Sequence, residues 1–342
     1  MAHLATKRYT YGSQLAILMG LFCLGFLASQ LINAFALSNY IKVGATEKEM
    51  MTKIFVPENA NLLRILQFIS VLFMFFIPTL LYAKICHWKP FQHVGFKKEL
   101  PLLPLTLAVL IIFSAMPLVG ALRDLTMHLP LSEWMKTRIL ESKENYFKEV
   151  VVIGRMISFG EYLLSMFIIA VLPGLFEELF FRGGLQNLFT RWFKDPVAAI
   201  LLSAFIFSAF HLEFSDFLGR FLLGIVLGYV FYQTGNLWIN IIMHAAFNGF
   251  SVTGLYMVSR AHEKIDMSKL DDNFPFYLVA IMVLVMGGLH FYFDKVMSTL
   301  HTQPGEEIIF SGYEQHINPF AEIEQEANNK EDEPNNINTD HE

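Results

Sequence analysis

The chain has 342 residues, 54% of them hydrophobic and 34 of them phenylalanine. A water-soluble domain of this length has too little interior to hide so much apolar surface, which excludes a soluble enzyme or binding module and predicts a polytopic membrane protein. The net charge of -6 is set by residues 313–342, which hold nine acidic side chains against the single Lys330; no basic patch suggests a nucleic-acid partner.

Taken in order, apolar runs of about 17 to 25 residues, the length that spans a bilayer, fall at about 14 to 37, 61 to 84, 101 to 121, 158 to 181, 196 to 212, 217 to 233, 237 to 258 and 274 to 294. The expected fold is therefore an all-α transmembrane bundle of about eight spans, the fifth and sixth short. Lys7 and Arg8 precede the first run, and Ala34-Phe35-Ala36 has the small-residue pattern of a signal-peptide cleavage site, but the apolar stretch is too long for a signal core and reads as a span. Cys23 and Cys86 have no spacing that suggests a metal site or a redox pair.

Lys7 and Arg8, then Lys84, Lys89, Lys97 and Lys98, then Arg191 and Lys194 mark alternate loops as basic. The positive-inside rule puts both termini and these loops in the cytoplasm, and an even number of spans agrees with that. The long connection at 122–157 alternates charged and apolar residues and is expected to lie as an amphipathic helix at the outer interface, as a lid or an anchor. Residues 1–312 form one membrane domain on this reading. Residues 313–342 form a disordered acidic tail, too polar to pack.

Within this apolar background a few polar groups stand out. Glu177 and Glu178, with Arg182 four residues on, lie inside a strongly hydrophobic run. An ionisable side chain at bilayer depth costs roughly 2.5 to 3.5 kcal/mol on insertion scales, so adjacent acids there point to function. Glu178 and Arg182 are spaced i, i+4 and can pair on one helix face. Glu177 points about 100° away and is left as the free carboxylate.

His211 follows Phe207 by one helical turn, so the phenyl ring can pack on the imidazole. His244 and Asn248, also i, i+4, aim at one spot, and the small Ala245 and Ala246 leave room for a neighbouring helix. Gly224 and Gly228 form a Gly-x-x-x-Gly packing face, and Arg64, Arg220 and Lys295 near helix ends are expected to snorkel. Together, a carboxylate, two imidazoles and an amide supply a general base and oxyanion donors for hydrolysing a peptide bond with activated water. Zinc held by Glu177, His211 and His244 is the alternative chemistry, although no His-Glu-x-x-His motif is present, and no Gly-x-Ser-x-Gly elbow offers a serine nucleophile.

The ordered set Glu177-Glu178-x-x-x-Arg182, Phe207-x-x-x-His211 and His244-x-x-x-Asn248, within about residues 155 to 255, resembles the CPBP intramembrane protease family, which includes the type II CAAX prenyl endopeptidases and bacteriocin-processing or immunity relatives. The resemblance implies that Glu177 and His211 activate water, that His244 and Asn248 stabilise the oxyanion, and that Glu178 and Arg182 orient the active-site helix; it leaves open whether a metal takes part. The expected function is an intramembrane endopeptidase cutting a membrane-embedded or lipid-anchored, CAAX-like peptide near the cytoplasmic side, with membrane lipid and peptide or lipidated protein as its partners. A non-proteolytic binding or scaffold protein of the same fold is the second reading. An ion or proton transporter is the third, disfavoured because no pair of broken helices occupies matching halves of the chain.

Overall fold

The computed structural model describes residues 9–38, 40, 46–130, 132–154, 156, 158–260 and 275–301. The acidic segment at 313–342 lies outside the described residues. Among those described, every regular element is helical. The long apolar runs require this, because in hydrocarbon the backbone must satisfy its own polar groups and a helix does so within one segment.

In chain order the helices of eight residues or more are α1 (Tyr11–Leu37), α2 (Glu47–Ile54), α3 (Pro57–Cys86), α4 (Leu102–Met127), α5 (Glu133–Ile153), α6 (Phe159–Phe193), α7 (Pro196–Phe210), α8 (Phe217–Thr234), α9 (Leu237–Arg260) and α10 (Phe276–His301). Seven of them, α1, α3, α4, α6, α8, α9 and α10, are long and apolar enough to cross a membrane, and the shorter apolar α7 completes the expected eight. The chain is a multi-pass integral membrane protein. In the connection at 122–157 a helix stands as anticipated, α5 over Glu133–Ile153, after α4 has run on to Met127.

Local chemistry sets the helix ends. Thr10 caps α1 by accepting from Ser13 N–H, and Asp195 caps α7 by accepting from Val197 and Ala198 N–H, with Pro196 in the first turn. Ser158 and Glu161 form a reciprocal capping box at the start of α6, which gives Glu161 a structural task. Left-handed residues, Lys194 (φ 57°) and Gly235 (φ 55°), end α6 and α8.

Helix α6 is central, packed against α1, α3, α7 and α9. Its Phe180 and Phe181 are fully buried among Phe22, Phe75, Phe207 and Phe210. A second core of Ile111, Ile112, Leu227, Val230, Met243 and Phe293 joins α4, α8, α9 and α10. Lipid offers helices no hydrophobic drive to associate, so small residues that admit close backbone contact matter more. A Cβ on Gly174 would meet Ala245 N at 3.1 Å and Ile241 O at 3.2 Å, so α6 and α9 touch backbone to backbone. A Cβ on Gly224 would meet Ala204 Cβ at 2.9 Å, which puts the Gly-x-x-x-Gly face against α7.

Two segments of α6, Met166–Val171 and Leu179–Gln186, are wound loosely with i→i+5 bonding, the second starting directly after Glu178. Two arginines expected to snorkel are held inside the protein instead. Arg64, 2% exposed, donates to Ile153 O at 2.9 Å and to Asn61 Oδ1 at 2.9 Å, tying α3 to the end of α5. Arg220 pairs with Glu213 at 2.7 Å and Asp216 at 3.3 Å. In each case a partner within reach replaces the water that snorkelling would seek.

Candidate active site

The acid pair sits where α6 changes its winding, against α9, and the two carboxylates have different surroundings. Glu178 is 0% exposed. Its Oε1 lies 3.0 Å from Arg182 Nη1 and 2.9 Å from His244 Nδ1, and its Oε2 accepts from Asn240 Nδ2 at 3.2 Å. A carboxylate held out of water survives only when charge and hydrogen bonds surround it, and here three side chains do so.

The carboxylate can only accept, so His244 donates its Nδ1 proton to Glu178 and the ring is fixed in orientation. Nε2 of the same ring lies 4.0 Å from Glu177 Oε2. Glu177, 9% exposed, is therefore the less enclosed acid and faces an imidazole across a gap.

Arg182 is held on three sides. Its Nη1 stands near Glu178 but off the hydrogen-bonding direction, so that contact is chiefly coulombic. Nη2 donates to Gly224 O at 3.2 Å, and the guanidinium lies over the Phe207 ring at 4.9 Å. One turn on, Gln186 donates to Gly228 O at 2.7 Å. The two glycines of α8 thus bare the carbonyls that α6 needs for its polar side chains.

Phe207 is the common neighbour of the site. Edge-on contacts bring it to His211 (centroids 4.9 Å apart) and to His244 (6.0 Å), and it is itself buried. His211 closes α7, and its Nδ1 lies 2.9 Å from Phe207 O. The carbonyl can only accept, so Nδ1 carries the proton and Nε2 is left with its lone pair. His211 is exposed, and the next residue, Leu212, has a left-handed backbone (φ 52°) that turns the chain away from α7. Asn248 lies one turn beyond His244 on α9, half-buried, its side chain without a hydrogen bond to another described residue.

Thus Glu177, Glu178, Arg182, Phe207 and His244 meet directly, His211 joins them through the phenyl ring, and Asn248 continues the His244 face. Two features escaped sequence reasoning. Asn240, 0% exposed, bonds both to Glu178 and to Leu227 O at 2.8 Å. It stands four residues before His244, so the spacing that singled out Asn248 could have found it. The bond from His244 to Glu178 had no sequence signal, because it joins two helices distant in the chain.

The three-donor zinc set is not assembled. Among the described residues no group of three or more His, Cys, Asp or Glu side chains is arranged to hold a metal ion. Glu177 and His244 approach each other, but His211 is turned by its own helix onto Phe207 O. Zinc is the alternative and not the favoured chemistry, and among the described residues no assembled three-donor site supports it.

Residues 159–250 match the family model described as type II CAAX prenyl endopeptidase Rce1-like. The matched stretch runs from the capping box of α6 to the middle of α9 and contains every residue named in the site. No curated protein and no solved structure matches the chain.

Proposed function

We propose that the protein is an intramembrane endopeptidase that hydrolyses one peptide bond of a membrane-embedded or lipid-anchored peptide. The observation that carries this reading is the unequal acid pair: Glu178 is saturated by Arg182, His244 and Asn240, whereas Glu177 keeps an open side 4.0 Å from Nε2 of His244. The family match over the same residues supports it.

In this mechanism Glu177, assisted by Nε2 of His211, takes a proton from water as the oxygen attacks the scissile carbonyl carbon. The carbonyl π electrons move to oxygen. His244 and Asn248 donate to that oxyanion. With Nδ1–H committed to Glu178, donation from Nε2 requires the imidazolium form of His244, whose charge faces both glutamates. When the tetrahedral species collapses, the C–N bond breaks and the proton held by Glu177 passes to the leaving amine. No step runs through a metal.

The test compares membrane peptides from cells carrying the wild type with those from cells carrying Glu177→Gln. Uncut precursors should accumulate in the variant. Identical peptide profiles at equal protein levels would favour a non-proteolytic binding protein of the same fold.

A further inference from the structure

Asn240 stands one turn before His244 on α9 and is 0% exposed, with Ile239 and Ile241 on either side of it in the chain. Its Nδ2 faces two acceptors, Glu178 Oε2 at 3.2 Å and Leu227 O at 2.8 Å. A carboxylate oxygen and a peptide carbonyl both need a donor, so chemistry alone fixes which end of the amide points at them. Both N–H groups are thereby spent, while Oδ1 is buried and accepts from no described residue. A buried acceptor without a partner is unfavourable, and a leucine of similar volume would fill the position without creating one. The residue serves as a double donor, which packing does not call for.

Across the carboxylate Asn240 has a counterpart. Arg182 brings Nη1 to 3.0 Å from Oε1 of Glu178 and donates from Nη2 to Gly224 O at 3.2 Å. Gly224 and Leu227 are three residues apart on α8, so their carbonyls lie on one side of that helix. Each oxygen of Glu178 is therefore held by a side chain from a different helix, Arg182 of α6 and Asn240 of α9, and both side chains are anchored to the same stretch of α8 backbone. With both oxygens held, the plane of the carboxylate is set and Oε1 stays 2.9 Å from Nδ1 of His244, whose Nε2 then lies 4.0 Å from Glu177. Without a donor on Oε2 the carboxylate is free to turn about its own bond, and the imidazole follows it.

We propose that Asn240 is a positioning residue for peptide-bond hydrolysis, acting through Glu178 to hold His244 at the angle from which its Nε2 reaches the oxyanion. This deepens the protease reading and rests on it. Asn240 touches neither the attacking water nor the substrate in this role; its effect is on geometry, and a displacement of about 1 Å in such a site costs about 10²-fold in rate. A second buried amide on the same side of α8 provides the contrast. Gln186 donates to Gly228 O at 2.7 Å, tying α6 to α8 without a bond to the acid pair. If Asn240 only held helices together, the two amides would be equivalent.

The experiment uses the full chain in detergent, labelled with isotope-enriched histidine. The Nδ1–H of His244, shared with a buried carboxylate, should give a far-downfield, slowly exchanging proton NMR signal, identified by its loss in His244→Gln. Asn240→Leu and the near-isosteric Asn240→Asp, which lacks the two donors, should lose or shift that signal, and Gln186→Leu should keep it. On the peptide that accumulates in Glu177→Gln cells, both Asn240 variants should lower kcat about 10²-fold with KM little changed, and Gln186→Leu should leave kcat near the wild-type value. A wild type without the signal, an unchanged signal in folded Asn240→Leu, or equal loss of it in Gln186→Leu overturns the proposal. Failure of both Asn240 variants to accumulate also overturns it, because the residue would then hold the fold and not the site. The histidine signal needs no turnover, so its outcome is separate from that of the protease reading, which the peptide comparison with Glu177→Gln decides.

Discussion

Oε1 of Glu178 serves two partners at once, Arg182 Nη1 at 3.0 Å and the Nδ1–H of His244 at 2.9 Å. A residue expected to pair with an arginine and to orient its helix therefore also sets the tautomer and tilt of a site histidine. Removing its charge strands a buried guanidinium, which typically costs about 3 to 5 kcal/mol. Glu178→Gln should accordingly lower the melting temperature in detergent and abolish cleavage, while Glu177→Gln abolishes cleavage at nearly unchanged melting temperature. Equal losses of stability in the two variants would sink the division of labour between the acids.

The oxyanion assignment predicts a rate effect without a binding effect. Asn248→Ala should lower kcat by roughly 10² to 10³ with KM little changed, and His244→Ala should behave similarly. Activity should survive exhaustive chelation, measured on the peptide that accumulates in Glu177→Gln cells. Stoichiometric zinc that disappears in His244→Ala would overturn the metal-free mechanism.

Close approach of α6 and α9 at Gly174 brings the acid pair to His244. Even a methyl there would sit 3.1 Å from Ala245 N and 3.2 Å from Ile241 O, both backbone atoms that cannot yield without moving a helix. Gly174→Leu should destabilise by about 1 to 3 kcal/mol, as overpacking does. It should also cut turnover far beyond that loss by separating Glu178 from His244. Full activity in folded Gly174→Leu protein would show that the contact is not needed.

His93 gives the fold a pH dependence with a defined sign. Burial, reinforced by the Arg191 guanidinium 3.3 Å from Nε2 and by the stacked His87 ring, pushes the imidazole well below its ordinary pKa. Its unfolded form binds protons below about pH 6.5, where the folded form does not, so stability is full above that pH and falls as the pH drops through it. Melting temperatures across this range should show the fall, and His93→Gln should flatten it. An unchanged slope in the variant would assign the effect to other groups.

From their acidic, asparagine-rich composition we propose that residues from 313 onward take no part in catalysis. Truncation after Gly312 should leave activity per folded molecule unchanged in detergent. A large loss would mean that this segment recruits substrate or gates the site.

The amino-acid sequence by itself determined the membrane class, the helical architecture and the local pairs. Hydrocarbon leaves a backbone few options, so apolar length alone located the spans, including the short pair that became α7 and α8. Residues one helical turn apart share a face whatever surrounds them, so the contact of Glu178 with Arg182, that of Phe207 with His211 and the packing face at Gly224 and Gly228 were legible in their spacing. Only the tertiary structure decided that Glu178 also holds His244 and Asn240, that Arg64 and Arg220 have partners inside the protein, and that the segment from His93 to Glu99 is bonded to α6 and to the turn between α8 and α9. Those contacts join helices far apart in sequence, and their partners are chosen by how closely glycine and alanine let the helices meet, which no local periodicity encodes.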